Sequence, residues 1–537
     1  MAKSEMTTDN MKAQDDRKLS GLSHVEDSMI PEAAIAAAAS GIEDTKPSTA
    51  VWLITFTVAM GGFLFGYDTG VISAVLVSIG SDLGHEISSS EAELITSITS
   101  GGALIGALMA GIPADRYGRK LGIYIGCVLF FIGSVLQAAS FTVAQMTVGR
   151  FVVGLGVGSA SMIIPLYIGE LAPAKQRGRM IAFDNLSVTF GQLASYALGA
   201  GFTELPHGWR YLVAIGGIPP IILACLMPFC PESPRQLISH GSLESAKEVL
   251  ARVYPNATPE QVELKLREIE ISVEIESAVV QSKSLWFRFK QLHVKPSNLR
   301  ALICACAVMA ISQLGGFNTL MYYSATLFGL VGFDKPVAVS IVVGATNFLF
   351  TMVNLFIIDK VGRRRILLIT VAGMSLSLVV AAIAFSYIPI SPDLEIPDSA
   401  TIDWAGILLL VTIIFYVAFF ASGVATIGWV GTELLPLEVR ALGTMMNTVT
   451  HWGCNIIIAS TFLTMMKAMT ASGAFGFYAG ICAAGWVFVF GFYPEVKGLP
   501  LEDVRQIFED GFGVKKAREL QREIKERGLD PNVVVAP

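Results

Sequence analysis

The 537 residues are 53% hydrophobic and only 15% charged, with a mean hydropathy of +0.60, which leaves too little polar surface for a soluble globular chain and points to membrane-spanning helices. A net charge of −6 identifies no partner, because charges in such a chain are sorted by side of the membrane; no nucleic-acid partner is expected. The seven cysteines (Cys127, Cys225, Cys230, Cys304, Cys306, Cys454, Cys482) lie in or beside apolar segments without CxxC spacing, which argues against a disulfide framework or a metal site.

Residues 1–49 are polar, lack the apolar core of a signal peptide, and predict a disordered tail. Hydropathy then predicts six spans at about 51–78, 92–113, 121–141, 144–167, 181–203 and 211–229, forming a first bundle over 50–231. The polar insert 232–297 carries charges at helical spacing and predicts amphipathic linker helices. Six more spans follow at about 299–329, 336–358, 366–388, 404–430, 441–466 and 473–493, a second bundle over 298–495. The tail 496–537 predicts one short amphipathic helix at about 501–527.

Lys and Arg crowd the turns after spans 2, 4 and 8, whereas the loops at 82–93 and 389–403 hold acids without Lys or Arg. The basic turns, and with them both chain ends, are therefore expected in the cytoplasm. The chain is also internally repeated: GIPADRYGRK at 111–120 returns as FIIDKVGRRR at 356–365, so Asp115 and Arg119 recur as Asp359 and Arg363. Glu170, Arg177 and Glu232 recur as Glu433, Arg440 and Glu495. The order of motifs is kept, which implies two parallel halves around a central site. Positive-inside bias gives no reason for the paired acids, so these ten residues are expected to form salt-bridge networks that close the cytoplasmic side when the outside is open.

Taken together, FGYD at 65–68, GRFVVGLGVG at 149–158, PLYIGELAPAKQRG at 165–178, PESPR at 231–235, QLGGFNTLMYY at 313–323 and PEVKG at 494–498 resemble the sugar porters of the major facilitator superfamily. The pattern is most similar to their fungal and animal proton-coupled inositol transporters. The resemblance implies an all-α membrane protein of twelve transmembrane helices in two six-helix parallel repeats, with a cytoplasmic helical linker, in the plasma membrane. It implies a symporter importing myo-inositol with protons as a monomeric transport unit, without a cofactor beyond the co-transported proton.

Within that pattern Asp68 and Arg150 match the proton-binding acid and its cation, and an isolated carboxylate inside a span is costly enough that it is usually functional. Asn185, Gln192, Gln313, Asn318 and Asn347 match substrate positions, and an amide offers ring hydroxyls both a donor and an acceptor. Phe65, Tyr322, Tyr323 and Trp452 match apolar walls. Three features depart from the common pattern. Ser312 shortens one hydrogen-bonding arm, His451 replaces an amide, and Trp429 precedes Glu433 by four residues where five is usual. These departures fit a ring hydroxylated differently from glucose. A hexose or pentose carrier is the alternative, and a non-transporting nutrient sensor on the same fold is the rival of another class. No enzyme is expected, since no nucleotide-binding loop, nucleophile with base or metal cluster is present.

Overall fold

The computed structural model describes residues 42, 48–282, 284–391, 394, 402–430, 434–435, 437–497, 507–509 and 511–526. Among them the secondary structure is helical, without strands. The first half comprises α1 (Thr49–Ser78), α2 (Ser89–Tyr117), α3 (Arg119–Ala138), α4 (Val143–Leu171), α5 (Ala174–Phe202), α6 (Gly208–Ile215) and α7 (Ile218–Leu226). The linker is α8 (Pro234–Ser239), α9 (Leu243–Val253), α10 (Pro259–Ser282) and α11 (Leu285–Val294). The second half runs through α12 (Pro296–Leu314), α13 (Phe317–Val331), α14 (Pro336–Val361), α15 (Arg363–Ser386), α16 (Trp404–Phe419), a π-helical turn at Phe420–Val424, α17 (Ala425–Val430) and α18 (Leu437–Phe492), and α19 (Val514–Glu526) follows.

Ten helical segments are long and apolar enough to cross a membrane. One of them folds back on itself at Thr470, whose φ of 68° joins two helices, so it supplies two crossings. With α5, whose polar first turns lower its hydropathy, the described residues make twelve. The face where α2 meets α3 and α14 meets α15, with the linker beneath, is called the basic face; the opposite one is the far face.

Each half closes on itself, α1 against α5 and α2 against α4 in the first, α15 against α16 and α18 in the second. Across the halves α5 packs on α14, and α18 packs on α2. In repeat terms, span 5 of one half meets span 2 of the other in both directions, as two parallel copies of one bundle require.

Two predicted spans are broken, for local chemical reasons. The segment expected at 299–329 stops at Gly315-Gly316, where Gly316 takes φ 91°, a conformation that costs a side chain dearly. A Cβ on Gly316 would also stand 2.9 Å from the Tyr478 ring. The Gly315 carbonyl left free at the break accepts from the Tyr416 hydroxyl at 2.9 Å. The segment expected at 211–229 divides into α6 and α7 because Pro219 and Pro220 lack the N–H groups that would continue the ladder. Of the tail helix expected at 501–527, Val514–Glu526 is helical after Gly511 and Gly513, and so is Ile507; residues 501–506 and 510 lie outside the described ones.

Candidate transport site

Asp68 is on α1 and Arg150 on α4. Each side chain is buried, and the Arg150 Nη1 donates to Asp68 Oδ1 at 2.6 Å. Arg150 Nε also donates to the Ile95 carbonyl at 3.3 Å, which fixes the guanidinium from α2. Breaking a buried pair of this kind costs about 3–5 kcal/mol when it leaves a charge uncompensated, a cost that protonation of the acid or access of water to the cation reduces. The Tyr322 hydroxyl donates to Asn455 Oδ1 at 3.2 Å.

The amides pair with one another. Asn347 Nδ2 on α14 donates to Gln192 Oε1 on α5 at 2.7 Å, a bond across the halves. Asn318 Nδ2 donates to Gln313 Oε1 at 2.7 Å across the break between α12 and α13, and Gln313 Nε2 reaches Ser312 Oγ at 3.4 Å. Broken helices beside a central site free polar groups for a ligand. Here the break places Gln313 and Asn318 on separate segments, and Phe317 next to it stacks on Phe420 of the π turn with centroids 3.7 Å apart. Asn185 Nδ2 makes a long 3.5 Å contact with Thr426 Oγ1, which Asn354 Nδ2 also reaches at 2.7 Å.

Aromatic residues close the other side. Phe65 meets Trp452 across the halves at 5.6 Å, and His451 lies 4.8 Å from both the Trp429 and Trp452 rings. His451 Nδ1 contacts Met309 Sδ at 3.4 Å. His451 Nε2, Trp452 Nε1, Asn455 Nδ2 and Asn354 Oδ1 are buried without a hydrogen-bond partner. Unsatisfied buried polar atoms are uncommon. Three of these four fall within about one turn of α18. Tyr323 departs from the expected wall: its hydroxyl donates to the Ala459 carbonyl and its ring stacks on Phe462, so it holds α13 against α18.

Asn354 and Asn455 were open to the criterion that picked out the other amides, since both lie in apolar spans. Glu93 was not. It falls at the predicted edge of span 2, but α2 begins at Ser89 and buries it. Its carboxylate accepts from Thr464 N at 2.8 Å and from Thr464 Oγ1 at 2.7 Å, both on the opposite half. Ser73 pairs with Ser324 at 3.0 Å, the Tyr196 hydroxyl donates to the Met321 carbonyl, and Lys335 pairs with Glu204 at 2.7 Å. These cross-half bonds lie toward the far face, which is therefore the closed side of this conformation. Replacing Glu93 by Ala leaves two donors unmet, about 1–3 kcal/mol against the closed state. The expected result is faster labelling of a cysteine placed at Thr96 by an impermeant maleimide applied from the far face; unchanged labelling would show that Glu93 does not hold this closure.

On the basic face Arg119 donates to Asp115 at 2.6 Å and to Glu170 at 3.0 Å. Glu232 accepts from the Arg119 and Lys120 amides at 3.1 and 3.3 Å, and Glu495 accepts from the Arg363 and Arg364 amides at 3.1 and 3.0 Å. Each acid thereby caps the N-terminus of the helix that begins its motif, α3 or α15, where a negative charge is favoured. The preceding Gly118 and Gly362 have φ of 106° and 97°, and a Cβ there would strike the capping carboxylate. These contacts run within one half each, so with the far face closed they brace the two bundles separately; the bridged arrangement is the one expected for the state open on the far face. Arg177 is exposed, with no carboxylate partner among the described residues. Arg440 Nε donates to the Leu435 carbonyl at 3.2 Å. Glu433 and the side chain of Asp359 lie outside the described residues.

Twelve crossings in two matched bundles, packed around buried polar groups, define a multi-pass membrane transporter and not an enzyme. The model for the family described as sugar (and other) transporter matches residues 54–508, and the chain belongs to that family. It is 47% identical over 482 residues to myo-inositol transporter 1 of Cryptococcus neoformans, covering 89% of this chain and 85% of that one. It is 43% identical over 479 residues to myo-inositol transporter 1 of Saccharomyces cerevisiae, covering 88% and 82%. The xylose transporter XylE from E. coli in a partially occluded inward open conformation superposes with a TM-score of 0.70 at 27% identity, covering 84% of this chain and 100% of that one. The proton:xylose symporter XylE bound to 6-bromo-6-deoxy-D-glucose superposes at 0.69 with 25% identity, covering 86% and 100%.

Proposed function

We propose that the protein is a symporter that imports myo-inositol together with protons by alternating access. The observation that carries this reading is the buried Asp68–Arg150 pair, because it sets an acid able to take up a proton against a cation inside the membrane-spanning helices. Similarity to transporters named for myo-inositol supports the substrate, and likeness to a proton:xylose symporter supports the coupling. The shortened arm at Ser312 and the imidazole at His451 set the pocket apart from a two-glutamine hexose site. In this reading the basic face is cytoplasmic, both termini lie on that side, and the monomer is the transport unit in the plasma membrane. The proton is a co-substrate, and no resident cofactor is needed.

A hexose or pentose substrate is the second reading, favoured by the likeness to the xylose transporter. The deciding experiment is uptake into proteoliposomes of labelled myo-inositol, glucose and xylose in parallel, with and without an imposed proton gradient. Myo-inositol should enter fastest and accumulate only with the gradient. Faster xylose or glucose uptake would overturn the substrate, accumulation without a gradient would overturn the coupling, and no uptake of any of them would favour a sensor.

A further inference from the structure

We propose that Asp184 is a second proton-handling site, a relay between Asp68 and the basic face. The proposal rests on the proton-coupled reading above. Asp184 lies on α5, 8% exposed, and its Oδ1 has no hydrogen-bond partner. Opposite it α1 presents Gly62; a Cβ there would stand 2.6 Å from Oδ1 and 2.8 Å from the Asp184 carbonyl. At that contact α1 presents a residue without a side chain. Among the described residues no charged side chain pairs with the carboxylate. Arg177 and Arg179, nearer the basic end of α5, are exposed.

An ionised carboxylate with no cation inside a membrane is costly, so the acid is neutral here and holds a proton. Its position gives that proton a use. Gly62 precedes Asp68 by six residues on α1, so Asp184 lies about 9 Å nearer the basic face along the helix axis at roughly 1.5 Å per residue. The same face of α5 carries Gln192 two turns further on, and the adjacent Asn185 touches Thr426 of the other half. When Arg150 closes on Asp68 and displaces its proton, water in the opened cavity carries that proton to the unpartnered Oδ1. As that proton arrives, the one the acid already holds leaves its other oxygen toward the basic face in the same step, so one proton enters, one leaves and the acid stays neutral throughout. The chain thereby avoids a bare charge midway.

The test is Asp184→Asn, which keeps the shape and neutrality of the resting acid and removes only proton transfer, with Asp184→Glu as the titratable control. Three quantities are read in proteoliposomes: substrate exchange at equal pH, the initial rate of gradient-driven uptake, and the final accumulation ratio. Asp184→Asn should leave exchange and the final ratio at wild-type values and slow initial gradient-driven uptake by about tenfold or more, with Asp184→Glu recovering most of it. Unchanged initial rates in Asp184→Asn, or an equal fall in exchange, would overturn the relay and leave a packing residue. A lost final ratio would instead make Asp184 an equilibrium coupling site and overturn the relay as well. Absence of accumulation in the wild type would sink the coupling reading, and the relay with it.

Discussion

Asp68→Asn should bind and exchange substrate yet lose accumulation against a gradient. The amide has the shape of the protonated acid but cannot take up or release a proton, so Arg150 meets a neutral partner at every stage of the cycle. In the wild-type arrangement the carboxylate is paired at 2.6 Å, a geometry for the ionised acid. Rocking of the halves that withdraws Arg150 would leave a bare buried charge, which protonation removes; renewed contact expels the proton. Each proton carried down a gradient of one pH unit can sustain ~10-fold accumulation, about 1.4 kcal/mol. The expected ratio for Asp68→Asn proteoliposomes is unity, and Asp68→Glu, which keeps a titratable group, should restore part of the difference. Concentration of substrate by Asp68→Asn under a proton gradient alone would place the coupling acid elsewhere.

The sequence made some of this plain and hid the rest for physical reasons. Spans were readable because a charge-free run longer than a bilayer's thickness cannot supply the polar face that a helix on a soluble protein needs. The recurrence of Asp115, Arg119 and Glu232 as Asp359, Arg363 and Glu495 was equally visible, and its parallel order anticipated the reciprocal packing of α5 on α14 and α18 on α2. The break at Gly315-Gly316 was not visible, since hydropathy scores composition and is blind to a positive φ inside an apolar run. The capping role of Glu232 and Glu495 needed coordinates as well: a carboxylate far along the chain closes on backbone amides, which leave no trace in residue types. Glu93 was hidden by a boundary error of only a few residues, enough to move a buried acid into a loop.

The amides Gln313 and Asn318 illustrate both limits, because their types suggested the site whereas their mutual bond shows how it waits for a ligand. Each satisfies the other across the broken span at 2.7 Å. A ring hydroxyl that donates to Gln313 Oε1 and accepts from Asn318 Nδ2 would replace that bond by two without leaving either amide unmet. Gln313→Ala and Asn318→Ala should therefore each remove about 1–3 kcal/mol of substrate binding, roughly a 5- to 150-fold rise in KM, since a polar partner of the ring is deleted at a desolvated site. The carrier should still reach the membrane folded, because the glycines and Tyr416 that form the break are untouched. The double variant should cost less than the sum of the two, as both act on one hydroxyl. Measured uptake kinetics matching the wild type in both single variants would remove these residues from the site and leave the Gln192–Asn347 pair as its polar centre.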